Sequence, residues 1–296
     1  MPFIQLQPHP FTLIPSHPSL PTDLSRSEPK QFVRTALREA VELLDSIPST
    51  FTTDPKPRAS PPSQAKVNLL RRWHNLDNKK PEFWVARQSE HVDASTKGTA
   101  SWSEFEAGLR TDHAEHEMDY TPSVSGVERL LEWSGQDIGE VELDGVIYKD
   151  VVFEINLITH SFNPSVLISP RSFISLTISA AYDSPPSQQQ TSTKGFITLQ
   201  IPLRSDPSTT PYSLQQKIAS SAPQRTIFAN YASVERVSLL PAEPRSIEWT
   251  MATTSDAGGS IPQWVQRNWT LGGVPRAVVA DVGLFIGWTM RRRGSS

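Results

Sequence analysis

Hydrophobic and polar residues alternate over several stretches of the chain after residue 80, and this alternation predicts β-strands. It is cleanest over residues 174–178 and 197–201. Two polar, proline-containing loops interrupt it, at 184–195 and 204–225. The pattern therefore predicts six or seven antiparallel strands, at residues 82–92, 124–133, 148–160, 171–182, 195–203, 226–240 and 246–254.

Two helices are predicted around these strands. A Ser101–Glu104 capping box opens the first, which runs to about Met118. The second begins near Ile261, breaks at Gly272-Gly273 and ends at Arg291–Arg293, where positive charge opposes the helix dipole. Antiparallel strands followed by one long apolar helix predict an α+β fold. If the sheet curves around the helix without filling the gap, a ligand cavity results.

Composition divides the chain before residue 80 from the rest. Twelve of the 26 prolines lie in the first 62 residues, whereas all eight tryptophans lie at or after Trp73. We predict a disordered leader over 1–26, a helix over 27–47, a proline-rich linker and connecting segment over 48–79, and a ligand-binding domain over 80–293. The helix carries a wide apolar stripe, so we expect it to dock on the domain.

Charge and cysteine content narrow the classes of function. A net charge of −3 argues against a general electrostatic grip on nucleic acid. The absence of cysteine excludes disulfides, thiolate nucleophiles and cysteine zinc sites, and suits a reducing compartment. The start of the chain lacks the pattern of a secretory signal, and the longest apolar stretch, 274–290, is too short to span a membrane. We expect a cytoplasmic monomer without cofactor, metal or nucleic-acid partner.

Residues near the end of the predicted sheet resemble the START-related lipid-transfer superfamily. In Ser233–Arg236, Ile247–Met251 and Ser255–Asn268, a last strand meets a Gly-Gly turn, and an Ile-Pro-x-Trp-Val segment opens the closing helix. Shorter segments are similar to a fungal branch of this superfamily, at 98–102, 113–115, 120–122 and 281–285. The resemblance spans about residues 80–292. It implies a helix-grip fold, in which a curved sheet wraps a long C-terminal helix around an apolar cavity for lipids, sterols or other hydrophobic molecules.

Polar residues share one face of the predicted strand 148–160. Glu154, Asn156 and His160 lie opposite apolar neighbours. They either point into the cavity, where a few polar groups would orient an apolar ligand, or face solvent on the outside of the sheet. The sequence favours the solvent-facing alternative.

Asp281 interrupts the apolar run of the last helix. A carboxylate buried there needs a partner such as Arg87 or Arg171, or a ligand hydroxyl, whereas a partly exposed one does not. The nearby aromatic residues are either cavity wall or plain core. The full predicted ligand-binding set is Glu154, Asn156, His160, Arg171, Trp249, Met251, Trp264, Trp269, Val278, Asp281, Phe285 and Trp288.

His113 and His116 have the spacing of a metal-binding pair on one helix face. Their order around Glu117 is not that of a metallopeptidase, and a third ligand is not evident. We therefore favour helix-end histidines paired with neighbouring carboxylates over a metal site.

The leading hypothesis is a protein that binds a lipid or other hydrophobic small molecule and transfers it between membranes. Arg291–Arg293 could make transient contact with an anionic membrane. The alternative is a cyclase or isomerase for a polyketide or terpenoid, with His160 or Glu154 as acid or base. A third hypothesis is an interaction module that recruits partners through residues 1–64. Catalytic and nucleotide motifs are absent from the sequence, which leaves the question of an enzyme open but favours binding.

Overall fold

The fold is taken from a computed structural model. It describes residues 2–20, 26–74, 81–162, 168–184, 193–241, 243–259, 261–270 and 272–294. The predictions made for residues 21–25 and 75–80, and for most of the 184–195 loop, lie outside the described residues.

One large sheet contains every strand found in the described residues. Its main path follows the order β2-β4-β5-β13-β12-β10-β9-β8-β6, and all neighbours along this path are antiparallel. Four short strands join at the side: β1 and β11 pair in parallel, and β3 and β7 pair antiparallel. The strands are β1 (His9–Pro10), β2 (Thr52–Thr53), β3 (Arg58–Ala59), β4 (Lys66–His74), β5 (Glu82–Val92), β6 (Val124–Trp133), β7 (Val141–Leu143), β8 (Val146–His160), β9 (Arg171–Ser184), β10 (Thr193–Arg204), β11 (Ile227–Phe228), β12 (Asn230–Leu240) and β13 (Ser246–Asp256).

Seven helices accompany the sheet in the described ranges. None of them is long and apolar enough to cross a bilayer. The predicted helix 101–118 is divided in two, and the predicted 204–225 loop contains one more helix. The helices are α1 (Pro29–Thr50), α2 (Trp102–Leu109), α3 (His113–Tyr120), α4 (Gly135–Ile138), α5 (Tyr212–Ser221), α6 (Gln263–Gln266) and α7 (Val274–Arg293).

The two faces of the sheet pack against different elements. We call the face toward α1 the outer face and the face toward α7 the inner face. Side chains on the outer face form one apolar core with α1, in which the rings of Phe32 and Phe153 stack with centroids 5.8 Å apart. A row of paired positions shows its continuity across the sheet: Leu70, Ala86, Ala252, Val234, Leu199, Ile178 and Phe153.

The prediction of a disordered leader is wrong for residues 2–20. Phe11 and Ile14 are fully buried in the outer-face core, and β1 pairs with the end of β10. Glu39 of α1 accepts hydrogen bonds from the backbone N–H groups of Phe3, at 2.6 Å, and Ile4, at 3.1 Å. Proline-rich composition predicted poor packing, but the scattered apolar residues of this segment cover a sheet face that α1 alone does not cover.

The prediction of a linker over 48–79 is also wrong in part, because β4 runs through it and pairs with β5. Val67 and Leu69 face the inner core, whereas Leu70 joins the outer core. Because adjacent Leu69 and Leu70 are buried on opposite faces, the alternation of polar and apolar residues is broken, and this hides the strand from pattern analysis.

The inner face is closed by α7, which confirms the predicted α+β helix grip. Val278, Val282 and Phe285 of α7 pack into an inner core that also contains residues of α2 and strands β4, β5 and β13. Ser60 holds α7 from the other side: its hydroxyl donates to the carbonyl of Val279 at 2.6 Å and accepts from the N–H of Gly283 at 2.8 Å. The segment before β4 therefore fastens the closing helix at its midpoint.

Because Ser60 and Pro61 pack closely against α7, we expect two glycines of this helix to differ in how well they tolerate substitution by alanine. A Cβ on Gly283 would lie 2.4 Å from the backbone oxygen of Pro61, whereas a Cβ on Gly287 would meet no atom closer than 3.4 Å. We expect Gly283→Ala to lower the free energy of unfolding by about 1–3 kcal/mol, because backbone must shift. Gly287→Ala is the matched control and should be neutral or slightly stabilising, because alanine favours helix. Urea unfolding of both variants measures this, and equal effects would contradict the fastening.

Candidate ligand-binding site

The inner face of the sheet is polar at its centre, unlike the outer face. One row of paired positions crosses strands β8, β9, β10 and β12 with the buried side chains Glu154, Thr177, Gln200 and Ser233. Some of these groups bond to each other, as Ser233 does to Gln200 at 3.1 Å. Others have no partner among the described atoms: the hydroxyls of Ser175 and Thr177 and the amide oxygen of Asn156.

A small cavity of about 50 Å³ lies where this polar surface meets α3 and α7. It differs from the apolar cavity implied by the family resemblance, because it is small and most of its wall is polar. A cavity of this volume has room for only a few water-sized groups. Its wall consists of Arg87, Leu109, His113, Glu117, Tyr120, Thr121, Thr198, Gln200, Tyr231, Ser233, Glu235, Trp249, Met251 and Asp281.

Arg87 is the central charge of the cavity wall. It projects from β5 and is 1% exposed. One of its nitrogens, Nη2, donates to Glu235 Oε1 at 3.0 Å, and its guanidinium carbon lies 3.9 Å from the ring centroid of Trp249. Trp249 Nε1 donates to the same Glu235 oxygen at 2.6 Å. The remaining Arg87 groups, Nε and Nη1, have no acceptor among the described atoms.

Two further carboxyls face the cavity from the helices, Asp281 on α7 and Glu117 on α3. Removal of water by burial raises the pKa of Asp281 to about 7, although the positive charge of Arg87 opposes this, and Glu117 and Glu235 add to it. Burial also raises the pKa of Glu117. Near neutral pH, Asp281 can therefore either hold or release a proton at the cavity wall.

The raised pKa of Asp281 predicts a dependence of stability on pH. Because the folded chain holds this proton up to about pH 7 and an ordinary aspartate releases it near 3.8, stability should fall as the pH rises through that window. At pH 8 the buried carboxylate is charged and destabilises the fold, and Asp281→Asn removes this charge. We expect the substitution to raise the free energy of unfolding at pH 8 by about 1–3 kcal/mol, a moderate effect because the residue is partly exposed to solvent. Asp119→Asn, on the exposed side of α3, is the control. Parallel pH profiles for Asp281→Asn and the unaltered chain would contradict the assignment.

Three of the predicted site residues line the cavity: Trp249, Met251 and Asp281. The expected partner of Asp281, Arg87, lies on the same wall and lowers the pKa of Asp281 through its charge. The ion pair of Arg87 is nevertheless made with Glu235.

Glu154 and Asn156 are buried on the inner face, so the expectation that they face solvent is wrong. They do not reach the cavity, which begins two strands away at Gln200. Asn156 Nδ2 donates to Glu154 Oε1 at 2.7 Å, and Arg129 Nε lies 3.0 Å from Glu154 Oε2. Burial raises the pKa of Glu154, while Asn156 and Arg129 oppose the shift.

His160 and Arg171 lie opposite each other where β8 pairs with the start of β9, away from the cavity. Ring nitrogen Nδ1 of His160 lies 3.1 Å from the hydroxyl of Ser123, and burial lowers the pKa of His160 to about 4. Arg171 donates to the backbone carbonyls of Ser169 and Ala257. Arg171 therefore braces the turn before α6.

The predicted aromatic lining separates into core and surface. Phe285 and Trp288 belong to a packed aromatic cluster of the inner core, as Val278 does to its apolar part, and none of the three reaches the cavity. Trp269 is partly buried beneath the guanidinium of Arg58, at 4.7 Å. Trp264 is 65% exposed, so its prediction as cavity lining is wrong. Neither Trp264 nor Trp269 touches the cavity.

Sequence reasoning missed the groups that α3 and β12 contribute to the cavity, among them Tyr120, Tyr231 and Glu235. Glu235 and Arg87 lie mid-strand, where an isolated charge is typical of a solvent-facing position. The neighbouring residues do not mark them as buried, because Arg87 lies between Ala86 and Gln88, and Glu235 lies between Val234 and Arg236. His116, which we expected to pair with a neighbouring carboxylate at the helix end, contacts the backbone oxygen of Thr111 and the ring of Trp288.

Comparison with solved structures identifies the fold. The crystal structure of human STARD10 matches with a TM-score of 0.51 at 11% identity, covering 94% of this chain and 86% of that chain. Human StAR-related lipid transfer protein 5 matches with the same TM-score and identity, covering 90% of this chain and 98% of that chain. The chain thus has the START-like fold that its sequence predicted; at this identity the likeness concerns the fold alone.

Comparison of sequences gives the family. A search among curated proteins finds no match. A family model described as "Protein of unknown function (DUF3074)" matches residues 84–289, which include both the sheet and α7. Because this match covers more than half of the sequence, the chain belongs to the DUF3074 family.

Proposed function

We propose that the protein binds one hydrophobic molecule, such as a lipid, between the inner face of the sheet and α7, with the polar cavity holding its head. The observation that carries this proposal is the set of buried inner-face polar groups without partners, on Arg87, Asn156, Ser175 and Thr177. Buried polar groups in proteins are bonded in the great majority of cases, so water or a ligand is expected to satisfy these. The START-like solved structures include a lipid transfer protein by name, which agrees with the proposal.

The apolar part of such a molecule needs more room than the 50 Å³ of the cavity. The nearest apolar surface is the aromatic cluster of Phe105, Trp249 and Phe285, whose ring centroids lie 5.0 to 5.4 Å apart. Entry therefore requires α7 or α2, which carry Phe285 and Phe105, to move and open this cluster. Burial of apolar ligand surface contributes about 25 cal/mol per Å² and would offset the free-energy cost of opening the cluster.

Native mass spectrometry of the purified full-length chain, followed by extraction of bound molecules, tests this proposal. We expect a mass above that of the chain alone and a hydrophobic molecule in the extract. A chain that carries nothing, and still binds nothing after incubation with mixed lipid vesicles, would overturn it. Hydrogen exchange with and without the extracted molecule should show slower exchange in α7 and α3 when it is bound.

Transfer between membranes is the finer part of the proposal. Arg293 is held by Glu104, so the predicted Arg291–Arg293 contact with membrane loses one charge. A better surface lies at α6, where Trp264 is exposed and Arg267 covers the ring of Trp73 at 4.5 Å. Tryptophan and arginine both favour the interface of an anionic membrane.

Vesicle-to-vesicle transfer of the bound molecule tests this surface. We expect slower transfer by Trp264→Ala, with ligand binding retained. Tyr212→Ala changes an aromatic residue that is 72% exposed on α5, and serves as the matched control. Equal transfer rates for both variants would remove α6 from the proposal.

One observation favours the alternative of a cyclase or isomerase. The pKa of Asp281, about 7, suits a group that gives and takes protons at neutral pH. The acid–base residues suggested by the sequence, His160 and Glu154, lie away from the cavity. Conversion of the extracted molecule to a new product, lost in Asp281→Asn, would support catalysis; recovery of the molecule unchanged would favour binding.

A further inference from the structure

The cavity wall carries two opposite kinds of polar group: buried donors without an acceptor, and carboxyls that line the open space. Arg87 Nε and Nη1 are N–H donors without an acceptor among the described atoms, and the Arg87 side chain is only 2% exposed. Across the cavity, the carboxyls of Asp281 and Glu117 receive no hydrogen bond from any described residue. A bound group that satisfies both sides must therefore accept hydrogen bonds and also donate one.

This requirement separates common head groups. A hydroxyl or a primary amide accepts through its oxygen and donates through O–H or N–H. An ammonium group only donates, and it would lie beside the positive charge of Arg87. A carboxylate or phosphate only accepts, and it would face Glu117, Glu235 and Asp281. Only an uncharged head avoids both conflicts.

The size of the cavity gives an independent limit. A volume of about 50 Å³ holds only a few water-sized groups. A hydroxyl or a primary amide is of this size, whereas a phosphate esterified to a second polar group is far larger. Both charge and volume thus favour a small neutral head.

We propose that this site takes the alcohol or primary amide head of a hydrophobic molecule. Arg87 donates to its oxygen, and its own O–H or N–H donates to Asp281 or Glu117. This inference rests on the proposed function and narrows its ligand. Trp249, stacked on Arg87, closes the site from the sheet side and provides a fluorescent reporter beside the head.

A series of probes with one twelve-carbon tail tests the proposal on the full-length chain. The probes are 1-dodecanol, dodecanamide, 1-methoxydodecane, dodecylamine, dodecanoate, dodecyl phosphate and dodecyltrimethylammonium, each below its aggregation limit. Binding is measured at pH 8.5, where the carboxyl of Asp281, with a pKa of about 7, has mostly lost its proton. Tryptophan fluorescence and native mass spectrometry report binding. We expect the alcohol and the amide to bind at least about tenfold more tightly than the others. The methyl ether is the sharpest comparison, because it keeps the acceptor oxygen and loses the donor.

A variant checks which residue accepts the hydrogen bond from the head group. In Asp281→Leu, we expect the preference for alcohol over methyl ether to fall by at least about threefold, with Glu117 retaining the remainder; Asp119→Asn, an exposed control, should keep the full preference. Equal binding of alcohol and ether by the unaltered chain, or tighter binding of a charged probe, would overturn the head-group assignment and leave the proposed function standing. Binding of no probe by a chain that also purifies without ligand would overturn both.

Discussion

A chain that begins at Ser27 is expected not to fold, although its first 26 residues read as a poorly packing leader. Residues 2–20 bury Ile4, Phe11, Ile14 and Leu20 in the outer-face core. At about 1.5–3 kcal/mol for each buried side chain, their loss approaches the whole stability of an ordinary domain, about 5–15 kcal/mol. Circular dichroism and urea titration should show no cooperative unfolding of the truncated chain. A cooperative transition at the full-length midpoint would show that the segment contributes little.

Point variants separate the effect of side-chain burial on stability from the effect of removing the whole segment. Phe11→Ala should lower the free energy of unfolding by about 3–5 kcal/mol, because it empties a fully buried position. Thr12→Ala, at the exposed neighbouring position, should change it by less than about 0.5 kcal/mol. Deletion of residues 1–64 would also remove α1 and the Ser60 contact, so it cannot test the hypothesis of a separate recruiting module without unfolding the domain.

Arg87→Met is expected to be among the most destabilising single changes at the cavity. It leaves Glu235 buried with only Trp249 as a hydrogen-bond donor among the described residues, and an uncompensated buried charge costs about 3–5 kcal/mol. The double variant Arg87→Met with Glu235→Leu removes both charges and should recover most of the loss. Urea unfolding of the two single variants and the double variant measures the coupling.

The double variant also separates stability from binding. It should fold yet bind 1-dodecanol more weakly than the unaltered chain, because the donors of Arg87 are gone. Additive effects of the two substitutions on stability would show that the 3.0 Å ion pair is not the source of the cost.

The sequence predicted the strands best where one face is apolar and the other polar. In β9, Ser175, Thr177 and Ser179 on the inner face alternate with apolar residues of the outer core, and the predicted range 171–182 ends two residues before the strand does. β4 was missed because Leu69 and Leu70 are both buried, on opposite faces, and break the alternation. The sequence therefore shows which residues form strands more reliably than it shows what covers them.

The candidate site was less predictable, because its polar groups come from five separate elements. Asp281 could be found from the sequence, since it interrupts an apolar helix. Arg87 and Glu235 could not be paired, because they lie 148 positions apart and meet only through the antiparallel neighbours β5, β13 and β12. Trp264 was misplaced because the family resemblance assigns its segment to the closing helix, whereas in the structure it lies on the separate, exposed α6.

The attachments of α7 are unevenly distributed along its length. At its last turn, Arg293 bonds to Glu104 and to the backbone oxygens of Thr96 and Thr99. Burial alone would raise the pKa of Glu104, but hydrogen bonds from Arg293 and Ser101 lower it to about 2, so this anchor stays ionised in all but strong acid.

With Ser60 at the midpoint and Arg293 at the end, the first turn and a half of α7 is the part least restrained by polar contacts. Asp281 lies just beyond that part, between the two residues that Ser60 bonds, so reaching it also requires the Ser60 bonds to break. A ligand would then enter as the amino-terminal part of α7 moves away from the sheet while its carboxy-terminal end stays attached. Its route would pass α6 before it reached the charged interior.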